Sequence, residues 1–291
     1  MQTASMEIGV VFPQTEIGGD PGAVRAYGQA VSDLGYTHLL AYDHVLGADI
    51  AVHGDLGGPY TIHDTFREPL VMFAYLAGFT SLAFATSILI GPQRQTALLA
   101  KQVAELDLLC GGRFRLGLGI GWNRVEYEAL GHSFTERGAF LEEQVGVLRQ
   151  LWTQESVTID GRFHHITAAG LAPLPVQRPV PVWIGAFAPA ALRRVGRIAD
   201  GWFPAARPGA GLSEALEFIA EGAHEAGRDP STIAFEGRVD FATGDLNRIA
   251  SHAEKWRAAG ASHLSVNTMA AGCTGVDEHI AGLAALAEVL L

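Results

Sequence analysis

Eight short apolar runs, each followed by a segment with helical spacing, alternate along a chain of 291 residues. A strand-then-helix rhythm of this kind implies a parallel sheet covered by helices. Eight such units close into a single (β/α)8 TIM barrel, which needs about 250 residues and leaves the remainder for insertion segments. One domain spanning 1–291 is the expectation. The strand-like runs are Glu7–Phe12, His38–Tyr42, Leu82–Ile88, Arg113–Ile120, Val180–Gly185, Asp200–Phe203, Thr232–Phe241 and Ser262–Asn267.

The helices between them carry end signals. Asp20-Pro21 pairs an N-cap with proline at the first helical position, and Gly35 stops that helix. Leu99, Val103 and Leu106 mark one face of Thr96–Cys110. Leu141, Val145, Leu148 and Trp152 mark another helix, for which Thr135 can serve as cap. Two stretches break the rhythm. Gly47–Arg67 is too long for an ordinary βα connection and reads as a functional loop or lid. Val157–His165 reads as a hairpin turning at Asp160-Gly161, with His164-His165 on its surface.

Pro69–Gln93 contains no charged residue and is long enough to suggest a membrane span. Gly78, Thr80 and Ser81 divide it into a helix and a strand, as a buried parallel core requires. The formal net charge of −11 disfavours nucleic acid and anionic membrane as partners. Two cysteines provide no disulfide framework and suit a reducing cytoplasm. Met1–Ser5 reads as a loose tail without a basic-then-apolar signal pattern.

In a parallel barrel, ligands gather at the C-terminal strand ends. Here those ends read Phe12-Pro13-Gln14, Asp43-His44, Ser87-Ile88, Gly121-Trp122-Asn123, Gly185-Ala186-Phe187, Trp202-Phe203 and Asn267. Aromatic and small residues suit a planar heterocycle. Gly117, Gly119 and Gly121 remove alternate side chains from the fourth run, so that something can approach the backbone. Their G-x-G-x-G spacing inside a strand differs from the dinucleotide fingerprint, which opens a helix. No metal site is expected. His53, His63 and Asp64 could join Asp43 and His44, but without recognisable ligand spacing.

Two readings of Asp43-His44 stay open: a helix-turn cap with a histidine satisfied by a backbone carbonyl, or a cofactor contact and proton donor. Gly185-Ala186 before Pro189 is either an ordinary turn or a set of amides for a phosphate.

The runs GVVFPQTEIGGDPGAVRAY, LLAYDHVLGAD, GPQRQTALLAKQVAELDLLCGGRFRLGLGIGWNRVEYEALG and PVWIGAFAPAALRRVGRIADGWFP resemble the bacterial luciferase-like family. Within it they are most similar to the actinobacterial deazaflavin-dependent oxidoreductases. The match covers Ile8 to about Pro204 closely and the rest loosely. The resemblance implies a barrel with an insertion after the seventh strand and others elsewhere, usually a homodimer, binding FMN or coenzyme F420 at the strand ends. It also implies a bulge at Ser87-Ile88 beneath the ring, with a non-proline cis peptide.

Carried over by position, the cofactor set is Phe12, Asp43, His44, Ser87, Ile88, Gly121, Trp122, Asn123, Gly185 and Ala186. His44 is the candidate for proton transfer, with Asp43 orienting it. Two departures stand out. Ala186 occupies a place where many relatives have glycine. Trp122 replaces the glutamate of the family's sugar-phosphate dehydrogenases, so that substrate is not implied. Arg94, Arg124 and Arg207 fall just beyond strand ends and could draw in the anionic tail of a deazaflavin. The expected activity is hydride transfer between the deazaflavin and a small organic substrate. An FMN-dependent monooxygenase and a non-catalytic flavin carrier or sensor are the alternatives.

Overall fold

The computed structural model describes residues 6–241 and 245–291. Met1–Ser5, read above as a loose tail, lie outside the described residues. Eight parallel strands close on themselves: β1 (Glu7–Val11), β2 (His38–Ala41), β3 (Ala83–Thr86), β5 (Phe114–Gly119), β8 (Val182–Ala186), β9 (Gly201–Pro204), β10 (Ala234–Asp240) and β11 (His263–Asn267). β11 pairs back onto β1 and seals the barrel. Among the described residues no helix is long and apolar enough to cross a membrane. The uncharged run divides as expected into α3 (Pro69–Ala77) and β3, followed by the two-residue β4 (Leu89–Ile90).

The break between β3 and β4 is the Ser87-Ile88 peptide, which is cis, as the resemblance implied. Ala85 pairs with Arg115 and Leu89 with Leu118, so four steps on one strand face three on the other. That is a bulge, and it turns Ser87 and Ile88 out of the ladder. Thr86 bridges the gap: its hydroxyl donates to the Gly117 carbonyl (2.7 Å) and accepts from the Gly117 amide (2.9 Å). A Cβ on Gly117 would lie 1.7 Å from the Thr86 carbonyl oxygen, and one on Gly119 would lie 2.3 Å from Cδ1 of Ile88. Gly117 thus admits the backbone of the neighbouring strand, and Gly119 admits the Ile88 side chain. Gly117→Ala is expected to cost at least about 1–3 kcal/mol, since the obstacle is backbone. Urea denaturation measures this, and a variant within half a kilocalorie of wild type (~0.5 kcal/mol) would refute it.

The hairpin has arms β6 (Val157–Asp160) and β7 (His165–Ala169), so its second arm begins where the sequence reading ended it. Residues 161–164 form the turn because Glu143 accepts from the amides of Arg162, Phe163 and His164. This also corrects the surface assignment of His164, which is buried against Thr96 at 2.6 Å; His165 is the exposed one. Helix α6 (Arg137–Thr153) is capped at Glu136 rather than at Thr135. No long insertion follows the seventh barrel strand: only residues 241–245 separate β10 from α9 (Leu246–Ala258), and 242–244 lie outside the described residues.

Candidate active site

A cavity of about 760 Å³ opens at the C-terminal strand ends. Ser87, Ile88, Gly121, Trp122, Gly185 and Ala186 line it, as do Asp43 and His44. Two members of the expected set do not reach it. Phe12 is fully buried beneath the first strand end, its ring edge-on to Tyr27 at 5.5 Å. Asn123 is 1% exposed because its side chain caps α5 (Arg124–Ala129) and donates to the Leu46 carbonyl.

His44 stands in an aromatic box of Tyr60, Phe66 and Trp122, with ring centroids 5.4, 4.9 and 5.4 Å away. The long loop after β2 supplies Tyr60 and Phe66, and Leu56 and Tyr60 of that loop also wall the cavity. Beyond the box, Nδ1 of His44 lies 3.3 Å from Oε2 of Glu126 on α5. Its Nε2 has no partner among the described residues. Glu126, not Asp43, therefore orients the ring. Glu126 also accepts from the amides of Val45 and Leu46 and from Nε2 of Gln93. Burial opposes its ionisation, but the hydrogen bonds from His44, Leu46 and Gln93 outweigh burial and hold its carboxyl below the ordinary range. An ionised acceptor at this distance keeps a proton on Nδ1 of His44 and so fixes the ring's orientation.

Asp43 has other partners. It accepts from the Ile90 amide at 3.1 Å and from Nη2 of Arg94 at 2.8 Å. Arg94 also pairs with Glu68, so two carboxylates engage it, and it does not line the cavity. Burial raises the Asp43 carboxyl despite Arg94 and the Ile90 amide. These contacts set aside the reading of Asp43 as a helix-turn cap, since it ties the end of β2 to β4. Arg124 lies over the Phe134 ring at 5.2 Å.

Glu126 went unforeseen, and so did three polar side chains of β10 and β11. Glu236, Arg238 and Ser265 also line the cavity, from inside the barrel. Glu236 accepts from Ser265 and lies 2.8 Å from Nε2 of His38 and 3.0 Å from Nη1 of Arg115. Opposite them, Gly185, Ala186, Phe187 and Ala188 lead into α7 (Pro189–Ile198), whose first turn has no side-chain cap. Pro189 has no N–H there, and the amides of Ala191 and Leu192 donate to the Ala188 carbonyl, so the Ala190 amide is the one this turn offers an anionic group. Phe187 is 82% exposed at this lip. No group of three or more histidine, cysteine or acidic residues suited to a metal occurs among the described residues.

A tricyclic ring fits these walls. The cavity has the size of sites that enclose cofactors. Ile88 forms its floor between Gly119 and Gly185, where a Cβ on either glycine would meet the Ile88 side chain at 2.3 and 2.9 Å.

The model of the luciferase-like monooxygenase family matches residues 6–284, and the chain belongs to that family. An F420-dependent hydroxymycolic acid dehydrogenase of Mycobacterium tuberculosis is 30% identical over 263 residues, covering 88% of this chain and 68% of that protein. Other curated mycobacterial relatives are matched over 47% to 66% of their own length. Among solved structures, an F420-dependent secondary alcohol dehydrogenase in complex with an F420-acetone adduct superposes with a TM-score of 0.78, at 18% identity and 99% coverage of both chains. The oxygenating constituent of 3,6-diketocamphane monooxygenase of Pseudomonas putida, in complex with FMN, gives 0.72 at 16% identity over 98% of this chain and 96% of that one. At these identities the solved structures speak to the fold alone.

Proposed function

We propose that this member of the luciferase-like monooxygenase family is an oxidoreductase that transfers a hydride between coenzyme F420 and a small organic substrate. The observation that carries the reading is His44, held by an ionised Glu126, boxed by aromatics and lining a cavity sized for a tricycle. The F420-dependent dehydrogenase relative, matched over most of this chain, supports the choice of cofactor. When bound, the deazaflavin supplies the hydride chemistry.

The chain's own residues do the rest. Ser87, Ile88, Gly121 and Gly185 would hold the ring, and Trp122 and Phe203 would keep water from it. The helix start of α7, with the Ala190 amide, would face the phosphate. Nε2 of His44 would take or give the proton at the substrate oxygen, while Glu126 keeps the imidazole in place.

The second reading is an FMN-dependent monooxygenase, because a cavity of this size and lining can hold either ring system. Competitive titration of the purified chain with both cofactors at matched ionic strength separates the two. The deazaflavin is expected to bind at least about tenfold more tightly, a difference of about 1.4 kcal/mol. Tight FMN binding without measurable deazaflavin affinity would overturn the proposal in favour of oxygen-dependent chemistry.

A further inference from the structure

A second cavity, of about 550 Å³, opens beside the first at the ends of β10 and β11. Its wall contains Arg207, Arg238, Arg248, His252 and Lys255, with Asp240 the single carboxylate among the described lining residues. Such a concentration is unusual in a chain with a formal net charge of −11. Asp240 lies 3.5 Å from Arg238 and accepts from Asn267. Arg207, Arg248 and Lys255 have no ion pair among the described residues, although ion pairs occupy many of the chain's other arginines.

Three elements that are distant in sequence bring these cations together: the loop after β9, the end of β10 and α9. On α9, Arg248, His252 and Lys255 recur at the four- and three-residue spacing that aligns one helix face. Isolated like charges on one face repel, so the arrangement costs stability unless an anion sits among them. His252 reports the same field: burial lowers its basicity first, and the positive charges of Lys255, Arg248 and Arg207 lower it further. Buried Trp256 and Ile249 back the cavity, and Arg238 lines both cavities.

We infer that this basic cavity holds an anionic group, a phosphate or carboxylate, carried by a molecule whose body lies in the main cavity. The group enters past Arg238, and the guanidinium forks of Arg207 and Arg248 with the Lys255 ammonium hold it. The cavity's wall includes no residue of the β8–α7 turn, so it takes an anion other than one bound there. Two molecules could carry it: the organic substrate, or the cofactor through its acidic tail. The inference rests on the proposed function only for naming these two sources.

The test begins with inorganic pyrophosphate, titrated calorimetrically into the apoprotein at fixed ionic strength. Wild type is expected to bind it. The double variant Arg248→Ala/Lys255→Ala is expected to bind about tenfold or more weakly, as loss of charge-assisted contacts predicts. Arg257→Ala lies on the same helix, pairs with Glu254 and does not line the cavity, so it should match wild type. Circular dichroism checks that each variant is folded. No pyrophosphate binding by wild type, or equal binding by wild type and the double variant, would overturn the inference.

The source is then read with the full deazaflavin and its tail-less alcohol. Weaker binding of the full cofactor alone in the double variant assigns the cavity to the cofactor tail. Unchanged binding of both, with pyrophosphate affinity lost, assigns it to the substrate. If the chain binds neither deazaflavin but still takes pyrophosphate at Arg248 and Lys255, the proposed function fails and the anion site stands.

Discussion

His44→Ala is expected to lower turnover with the deazaflavin by about 10²-fold or more while the barrel stays folded. The fold should survive because the histidine's carboxylate partner keeps its other donors. Glu126 would still accept from the amides of Val45 and Leu46 and from Gln93. The loss should fall on kcat more than on KM, because a proton taken or given at Nε2 acts on the reacting atoms and contributes little to ground-state binding. Exogenous imidazole should restore part of the rate, which a purely structural histidine would not allow. Glu126→Gln keeps a hydrogen-bond acceptor beside Nδ1 but removes the charge. It should cost less than His44→Ala, on the order of tenfold, with the same bias toward kcat. Unchanged turnover and cofactor affinity in His44→Ala would return the residue to the role of aromatic-box filler.

The barrel is legible in the sequence because its strands are buried on both faces. They read as short apolar runs, and the helical segments between them have punctuated ends. The lip of the cavity is legible for the same reason, since strand ends follow from strand positions. Placement at a strand end does not, however, say where a side chain points. Phe12 turns into the packing around Tyr27, and Asn123 spends its side chain on the first amides of α5.

The partner of His44 is missed because it lies 82 residues away in sequence, on another element. A local signal existed: Asn123 and Glu126 stand at the spacing of a cap and its third helical position, which marks an acid at a helix start beside a strand end. The contacts show that acid reaching across to the β2 loop. Similarly, Glu236, Arg238 and Asp240 alternate within an otherwise apolar strand. In a closed barrel, period-two charges of this kind must face the interior or the mouth. The basic cavity is less visible, because it is assembled from three segments whose spacing in sequence has no regularity.

Glu236→Ala is expected to destabilise the protein by about 3–5 kcal/mol, the cost of leaving a buried charge without its partner. Glu236 is buried among His38, Arg115 and Ser265, and His263 lies against His38 with ring centroids 5.4 Å apart. Arg115 has little other polar support and rests over the Trp183 ring at 4.5 Å. Removing Glu236 strands that guanidinium inside the barrel. Glu236→Gln keeps an acceptor for Ser265 and should cost less.

The same cluster sets a pH dependence. Burial alone would raise the Glu236 carboxyl, but the charges of His38 and Arg115 outweigh burial and hold it far below its ordinary 4.5. Its contribution is therefore present above about pH 4.5 and is lost as pH falls below that value toward the folded one. His263 is kept neutral by burial first and by Arg115 second, and its value falls from 6.5 to about 3. The unfolded chain binds the extra proton between those values, so this contribution too is present above pH 6.5 and fades toward pH 3. Both terms have the same sign, and the free energy of unfolding should fall steadily from pH 6.5 to pH 3. Denaturant titrations across that range test it. In Glu236→Gln the slope below pH 4.5 should flatten while the slope above it persists. A wild-type stability that is level across the range would show that the cluster does not couple folding to protonation, and Glu236→Ala within about 1 kcal/mol of wild type would show that Arg115 finds another partner.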